Sequence, residues 1–130
     1  MSYFGEMMLN YLLRGQNVPA PPTPWLALFV EGPGGVPVEA SGGGYERVDV
    51  SGMFAAPQPD DSTFNSITIS FPTPTLPWGR VIGAAIFDAQ ADGNLVIPMF
   101  IEMPIEIPAG PPVYFNPGMI RIGIEATAAM

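Results

Sequence analysis

Leu95-Val96-Ile97-Pro98-Met99-Phe100-Ile101-Glu102-Met103-Pro104-Ile105-Glu106-Ile107 is apolar at every odd position, and its glutamates and prolines occupy only even ones. Side chains repeat on one face every second residue only in an extended strand, so this stretch is β structure. Its prolines at 98 and 104, and the one that follows at 108, carry no N–H for a ladder. The stretch is therefore expected at a sheet edge, or bending from one sheet to another.

The same reading extends in both directions. Upstream, Val81 to Phe87 is apolar on both faces, with Gly83, Ala84 and Ala85 small enough for close approach of another layer. Trp25 to Val30 is apolar on both faces as well, a strand buried on two sides, and Glu31-Gly32-Pro33-Gly34-Gly35 breaks it. A short strand at Val36–Glu39 is followed by the turn Ser41-Gly42-Gly43-Gly44 and a strand from Tyr45 to Val50. Residues 53–63 read as a polar, proline-containing loop with Asp60 and Asp61 at its tip, and Ile67, Ile69 and Phe71 as a half-buried strand. Downstream come Val113–Phe115, a turn at Asn116-Pro117-Gly118, and a last strand with Ile120, Ile122 and Ile124 facing inward.

That makes about eight short strands separated by turn signals, with no helix alternating between them. The expected fold is all-β, a jelly-roll-like β-sandwich forming a single domain over residues 1–130. One helix precedes it. Phe4, Met7, Met8, Tyr11 and Leu12 recur at helical spacing, Ser2 can cap the start, Glu6 and Arg14 suit the two ends, and Gly15 follows. A helix over 2–14 is marginal alone, so its stripe packs either on this chain's own β core or on a neighbouring chain. The proline-rich strap at 17–24 then links it to the first strand.

Composition narrows the function. The chain has 130 residues with 48% hydrophobic but only 12% charged, about half the usual charged share. Glycine and proline number 15 and 17, yet 8 Phe, 4 Tyr and 2 Trp argue for a packed core. There is no Cys, His or Lys, which removes disulfides, thiol nucleophiles, the usual zinc sites, Ser-His-Asp triads and Schiff bases. A formal charge of −8 has the wrong sign for gripping a phosphate backbone, so no nucleic-acid partner is expected. No basic n-region opens the sequence and no long apolar run occurs, so neither export by a signal peptide nor membrane insertion is expected.

Candidate chemical sites weaken on inspection. Asp88-Ala89-Gln90-Ala91-Asp92-Gly93-Asn94 resembles the opening of a calcium loop, but Gln stands at the third position and Met99 at the twelfth, where a bidentate Glu would close the shell. It reads instead as a hairpin turn using residues that tolerate positive φ. Glu102 with Glu106, or Asp60 with Asp61, could flank a scissile sugar bond only if something positioned them, and nothing in the sequence does. No catalytic residue, cofactor or metal is expected. A small domain with few charges and many Met and Phe leaves apolar area uncovered, which points to association.

Taken together, SYFGEMMLNYLL, PWLALFV, EASGGGYERVDV, Asn65 with ITISFP, and WGRVIGAAIFDAQADGNLV resemble a family of small tailed-phage virion proteins. Its members are labelled tail fibre proteins and include capsid decoration, or cement, proteins. The most specific pieces are Glu39, Ser41, Gly42, Gly43, Tyr45 and Arg47 in one block, and Trp78, Gly79, Ile86, Phe87, Asp88, Gly93, Asn94 and Leu95 in a second. The departures are the strap at 17–24, the loop at 53–63 and the segment from Pro98 to Pro112.

The resemblance implies a β-sandwich virion protein, a homotrimer, without enzymatic activity. The leading expectation is a capsid decoration protein made in the host cytoplasm, seated on the outer surface of the head and bridging major capsid subunits. The alternative is a tail fibre or tailspike-associated module attaching to a host-surface glycan, for which Asp60, Asp61, Thr63 and Phe64 form the first cluster to examine. Contact with capsid or a second subunit falls to the helix stripe (Phe4, Met7, Met8, Tyr11), the proline strap, and Met99, Ile101, Met103 and Ile105. Trp25 and Trp78 are expected to anchor the core, and Glu39, Tyr45 and Arg47 to form a structural cluster with a charge-assisted Arg47–Glu39 pair.

Overall fold

A computed structural model describes residues 3–17, 23–60 and 62–123. Among them the chain is all-β with one helix at its start. The elements are α1 (Tyr3–Arg14), β1 (Trp25–Glu31), β2 (Pro37–Glu39), β3 (Val48–Asp49), β4 (Ser62–Phe64), β5 (Ile69–Ser70), β6 (Gly79–Phe87), β7 (Leu95–Ile107), β8 (Tyr114–Phe115) and β9 (Arg121–Gly123). Residues 18–22 of the proline strap, Ser2, Asp61 and Ile124 lie outside the described residues, as do the side chains of Phe4, Met99, Ile101, Glu102 and Met103.

The helix begins with Glu6 in its first turn and closes with Arg14 in its last, each suited to the dipole at its end. Gly15 at φ 65° turns the chain away, and the Gln16 N–H reaches back to the Asn10 carbonyl at 3.2 Å. It lies against β7 of its own chain. Met7 and Met8 are half-buried, whereas Leu9, Tyr11, Leu12 and Leu13 are exposed.

β1 is central because its two edges are both used. One edge pairs with β6 along its length; the other is shared by β2, at Phe29 to Glu31, and β3, at Trp25 and Leu26. This explains its two-faced apolar sequence. Leu26, Leu28 and Val30 enter the core. On the opposite face the Phe29 and Phe87 rings stack at 6.2 Å, diagonally across the buried Ala27–Ala85 pair. Trp25 is half-buried on that outer face, opposite Phe87, and does not anchor the core; Trp78 does, at 5% exposure.

β7 stands at the sheet's edge, but its stripe does not stay on one face. Its pairing with β6 shifts register twice, between Ile86 and Phe87 and between Val81 and Gly83, where Ile105 and Phe100 are the successive partners. Pro98 and Pro104 cannot donate, so a regular ladder cannot run through them. Leu95 is consequently exposed, Val96 and Ile97 both rest on the core, and Ile105 and Ile107 face inward.

The layer facing this five-stranded sheet is split into two ribbons, β4–β9 and β5–β8. Ile69, Phe71, Val113, Phe115, Ile120 and Ile122 bring its apolar faces to Leu26, Leu28 and Val81 in one core. Asn65 sits fully buried where the ribbons part. Its amide donates to the carbonyls of Ile67 (2.9 Å), Phe115 (3.3 Å) and Asn116 (2.9 Å), and its Oδ1 accepts the Ile120 N–H at 2.9 Å. One side chain thus satisfies backbone groups that a continuous sheet would have paired. Two expectations change here. Ile67 is half exposed rather than facing inward, and the 53–63 loop ends in β4, paired with β9.

Candidate functional site

Gly42, Gly43 and Gly44 all have positive φ (72°, 56° and 81°), so the turn expected from sequence forms, and side chains would strain it. It is fastened from both sides. The Gly43 carbonyl accepts the Thr75 N–H at 2.9 Å and the Trp78 indole N–H at 3.0 Å, and the Tyr45 N–H closes back onto Gly42 at 2.9 Å. The Tyr45 ring then packs edge-on to Trp78 at 5.2 Å and alongside Phe71 at 6.4 Å.

This turn lies where β2 has left β1 and β3 has not yet joined it, so the Leu28 N–H has no strand partner. The Tyr45 hydroxyl accepts that N–H at 3.0 Å and donates to Glu39 Oε2 at 2.8 Å. Arg47 completes the cluster. Its Nε donates to Glu39 Oε2 and its Nη2 to Oε1, each at 2.8 Å, the bidentate pair expected from the sequence. Its Nη1 donates to the carbonyls of Ala89 (2.9 Å) and Asp92 (2.8 Å), and its guanidinium carbon lies 3.8 Å from the Phe87 ring centroid.

The electrostatics follow from this geometry. Burial pushes the Glu39 carboxyl up, but the hydrogen bonds from Arg47 and Tyr45, together with the guanidinium charge, outweigh it and hold the group below its ordinary 4.5. Burial, followed by the neighbouring Glu39 carboxylate, raises the Tyr45 hydroxyl well above its ordinary 10.0 despite the Leu28 N–H. The Glu39 hydrogen bond raises Arg47, against the cost of its own burial. A proton relay needs a group near neutrality, and these three move away from it.

The hairpin turn at 88–94 forms as expected. Asp92 (φ 55°) and Gly93 (φ 73°) supply its left-handed residues, and Asp88 accepts the Asn94 N–H at 2.6 Å and its side-chain amide at 3.0 Å. Because Arg47 holds this turn to β2, the two sequence blocks that carry the family resemblance meet in space. Between them lies an open groove of about 550 Å³, with Ser41, Gly42, Glu46, Gln90, Ala91 and Asp92 around the Glu39–Tyr45–Arg47 wall.

The other candidate residues do not converge. Asp60 is exposed, accepting from Ser62 Oγ at 2.6 Å and from Arg121 at 2.7 Å, while Thr63 and Phe64 are half-buried in β4. Among the described residues no group of His, Cys, Asp and Glu is arranged to hold a metal ion, and no helix is long and apolar enough to cross a membrane. Of the proposed contact residues, Tyr11 is exposed, Met7 and Met8 are partly covered, and Ile105 rests on the core. Sequence reading found the Glu39–Arg47 pair but missed the groove. Two clusters of positive-φ residues, at 42–44 and 92–93, were the available signal, and only the long reach of Arg47 brings them together.

The protein family described as Podophage GP4 fiber I protein gp80 matches the chain over residues 1–123. No curated protein matches it.

Proposed function

The chain belongs to that podophage fibre family, structural proteins of the phage virion, and on this premise we propose that it is a non-catalytic subunit of the tail fibre apparatus that works by association. The exposed end of α1 carries the reading. Leu9, Tyr11, Leu12 and Leu13 leave an apolar surface in water at 44%, 51%, 68% and 77% exposure, an arrangement that association with another subunit relieves. The partners are further copies of this chain and neighbouring virion proteins. Nucleic acid is not among them, since a charge of −8 opposes it. The whole chain acts as one domain.

A seat on the outer head shell, as a decoration subunit bridging capsid proteins, is the second reading. The net negative charge favours an exterior position away from packaged DNA, which suits the head surface as well as the tail. The family description speaks of a fibre, and the tail is therefore placed first. Quantitative mass spectrometry of purified particles separates the two. A copy number matching the tail symmetry supports the fibre, and one scaling with the number of capsid subunits supports decoration.

A further inference from the structure

We propose that the Arg14–Gly15 bond is a processing site, where a protease with an acidic, trypsin-like primary pocket cuts the folded chain and frees α1 from an intact β-sandwich. Such a protease needs Arg or Lys before the bond it cuts. The sequence offers four arginines and no lysine, so four bonds come into question.

The fold guards three of them. Arg47 is buried, with its guanidinium spread over Glu39 and two carbonyls, so it cannot enter a protease pocket without breaking that cluster. Arg80 is exposed, but the next residue, Val81, is fully buried and paired with β1 on one side and β7 on the other. Arg121 donates to Asp60 and Ser62, and its successor Ile122 is buried in the β4–β9 ribbon. Cutting at any of the three requires packed structure to open first.

Arg14 differs on every count. It ends α1, where the backbone carbonyls run out of helical partners, and its guanidinium is tied by one hydrogen bond, to Asn10 Oδ1 at 3.2 Å. Gly15, Gln16 and Asn17 follow in no helix or strand and are exposed, and nothing lies within 4 Å of where a Gly15 Cβ would stand. Leu12 and Leu13, which a protease reads just before the arginine, are exposed as well. Opening the last helical turn is a local event that leaves both sheet layers in place.

Hydrolysis adds one water across the bond, leaving a carboxylate on Arg14 and an amine on Gly15. The new negative charge lies at the negative end of the helix dipole, and so short a helix is marginal alone, so α1 loses its order once it leaves β7. The sandwich keeps its core. Among the described side chains, none of α1 belongs to the core cluster. One consequence, the loss of an apolar surface for association, rests on the function proposed above.

The test is limited digestion of the full folded chain with trypsin, followed by intact mass spectrometry and a thermal melt of the product. The Arg14–Gly15 bond should be cut about a hundredfold faster than any other, giving one stable product that begins at Gly15 and runs to Met130. That product should melt cooperatively within about 8 °C of the uncut chain. Arg14→Gln should abolish the early cut, and Arg14→Lys should retain it. First cutting at Arg80 or Arg121, resistance of all four bonds, or a product that no longer melts cooperatively would each overturn the proposal. No partner is present in this digestion, so it fails separately from the association reading, which would fall if particles retained the cut chain as well as the uncut one.

Discussion

Arg47 holds both oxygens of Glu39, Nε on Oε2 and Nη2 on Oε1 at 2.8 Å each, with the arginine side chain only 6% exposed. The same guanidinium serves the Ala89 and Asp92 carbonyls, so its removal takes a donor from four acceptors, of which Glu39 Oε2 keeps the Tyr45 hydroxyl. Arg47→Ala is expected to cost about 3 kcal/mol of stability, somewhat less than a fully buried pair because Glu39 keeps some access to water. Arg47→Lys should recover less than half of this, since an ammonium cannot reproduce the fork. Urea denaturation of the two variants measures both values.

The cluster should also limit stability at both ends of the pH scale. A carboxyl held below its unfolded value binds fewer protons when folded, so it stabilises fully above that value and progressively less as pH falls through the folded one. Glu39 is such a group, with an ordinary value of 4.5; Asp49, Asp60 and Asp88 behave alike, lowered chiefly by hydrogen bonds from Ser51, Ser62 and Asn94 respectively. Stability should therefore drop as pH falls below about 4.5, and Glu39→Gln should make that drop shallower.

Tyr45 works in the opposite direction. Its hydroxyl is raised, so its contribution is complete below the ordinary 10.0 and is lost as pH rises beyond it. Tyr45→Phe should remove this alkaline loss while costing about 1–3 kcal/mol at neutral pH, because the buried Leu28 N–H loses its acceptor. Circular dichroism melts across the pH range test both limbs.

The glycine turn offers a paired comparison. A methyl group on Gly43 would come within 2.7 Å of the Leu76 carbonyl and 3.1 Å of the Trp78 indole nitrogen, while one on Gly42 would meet nothing within 4 Å. Both sites have positive φ, so Gly42→Ala should cost about 1 kcal/mol and Gly43→Ala about 1–2 kcal/mol more. The difference between the two melting temperatures isolates the steric part.

Asn65→Ala should be among the most damaging single changes outside the Arg47 cluster. The side chain is wholly buried, and its loss takes away the acceptor of the buried Ile120 N–H, a donor of the Phe115 carbonyl, and the donors of the more exposed Ile67 and Asn116 carbonyls. The expected cost is about 3–5 kcal/mol, read as a shift in the urea midpoint.

What the sequence revealed depended on how local the controlling physics was. Alternation at 95–107 identified a strand, and the prolines within it identified an edge, because both are properties of neighbouring residues. The same alternation failed to say which side chains face inward, since Ile105 and Leu95 part company through register shifts set by pairing with β6. Charge and proximity across a turn were enough to foresee Arg47–Glu39. Nothing local to Arg47 could foresee Ala89 and Asp92 as its other partners, over forty residues along the chain. Trp25 shows the same limit: its size suggested an anchor, but strand parity places it on the outer face.

The proposed hold on other subunits runs through the exposed end of α1. It is tested most directly by incorporating a Leu12→Glu, Leu13→Glu double variant into assembling particles and counting the copies retained. Both side chains are mostly exposed, so the isolated variant should melt at close to the original temperature. If that hold is real, a normally folded variant is largely missing from purified virions. Retention at the original copy number would contradict it.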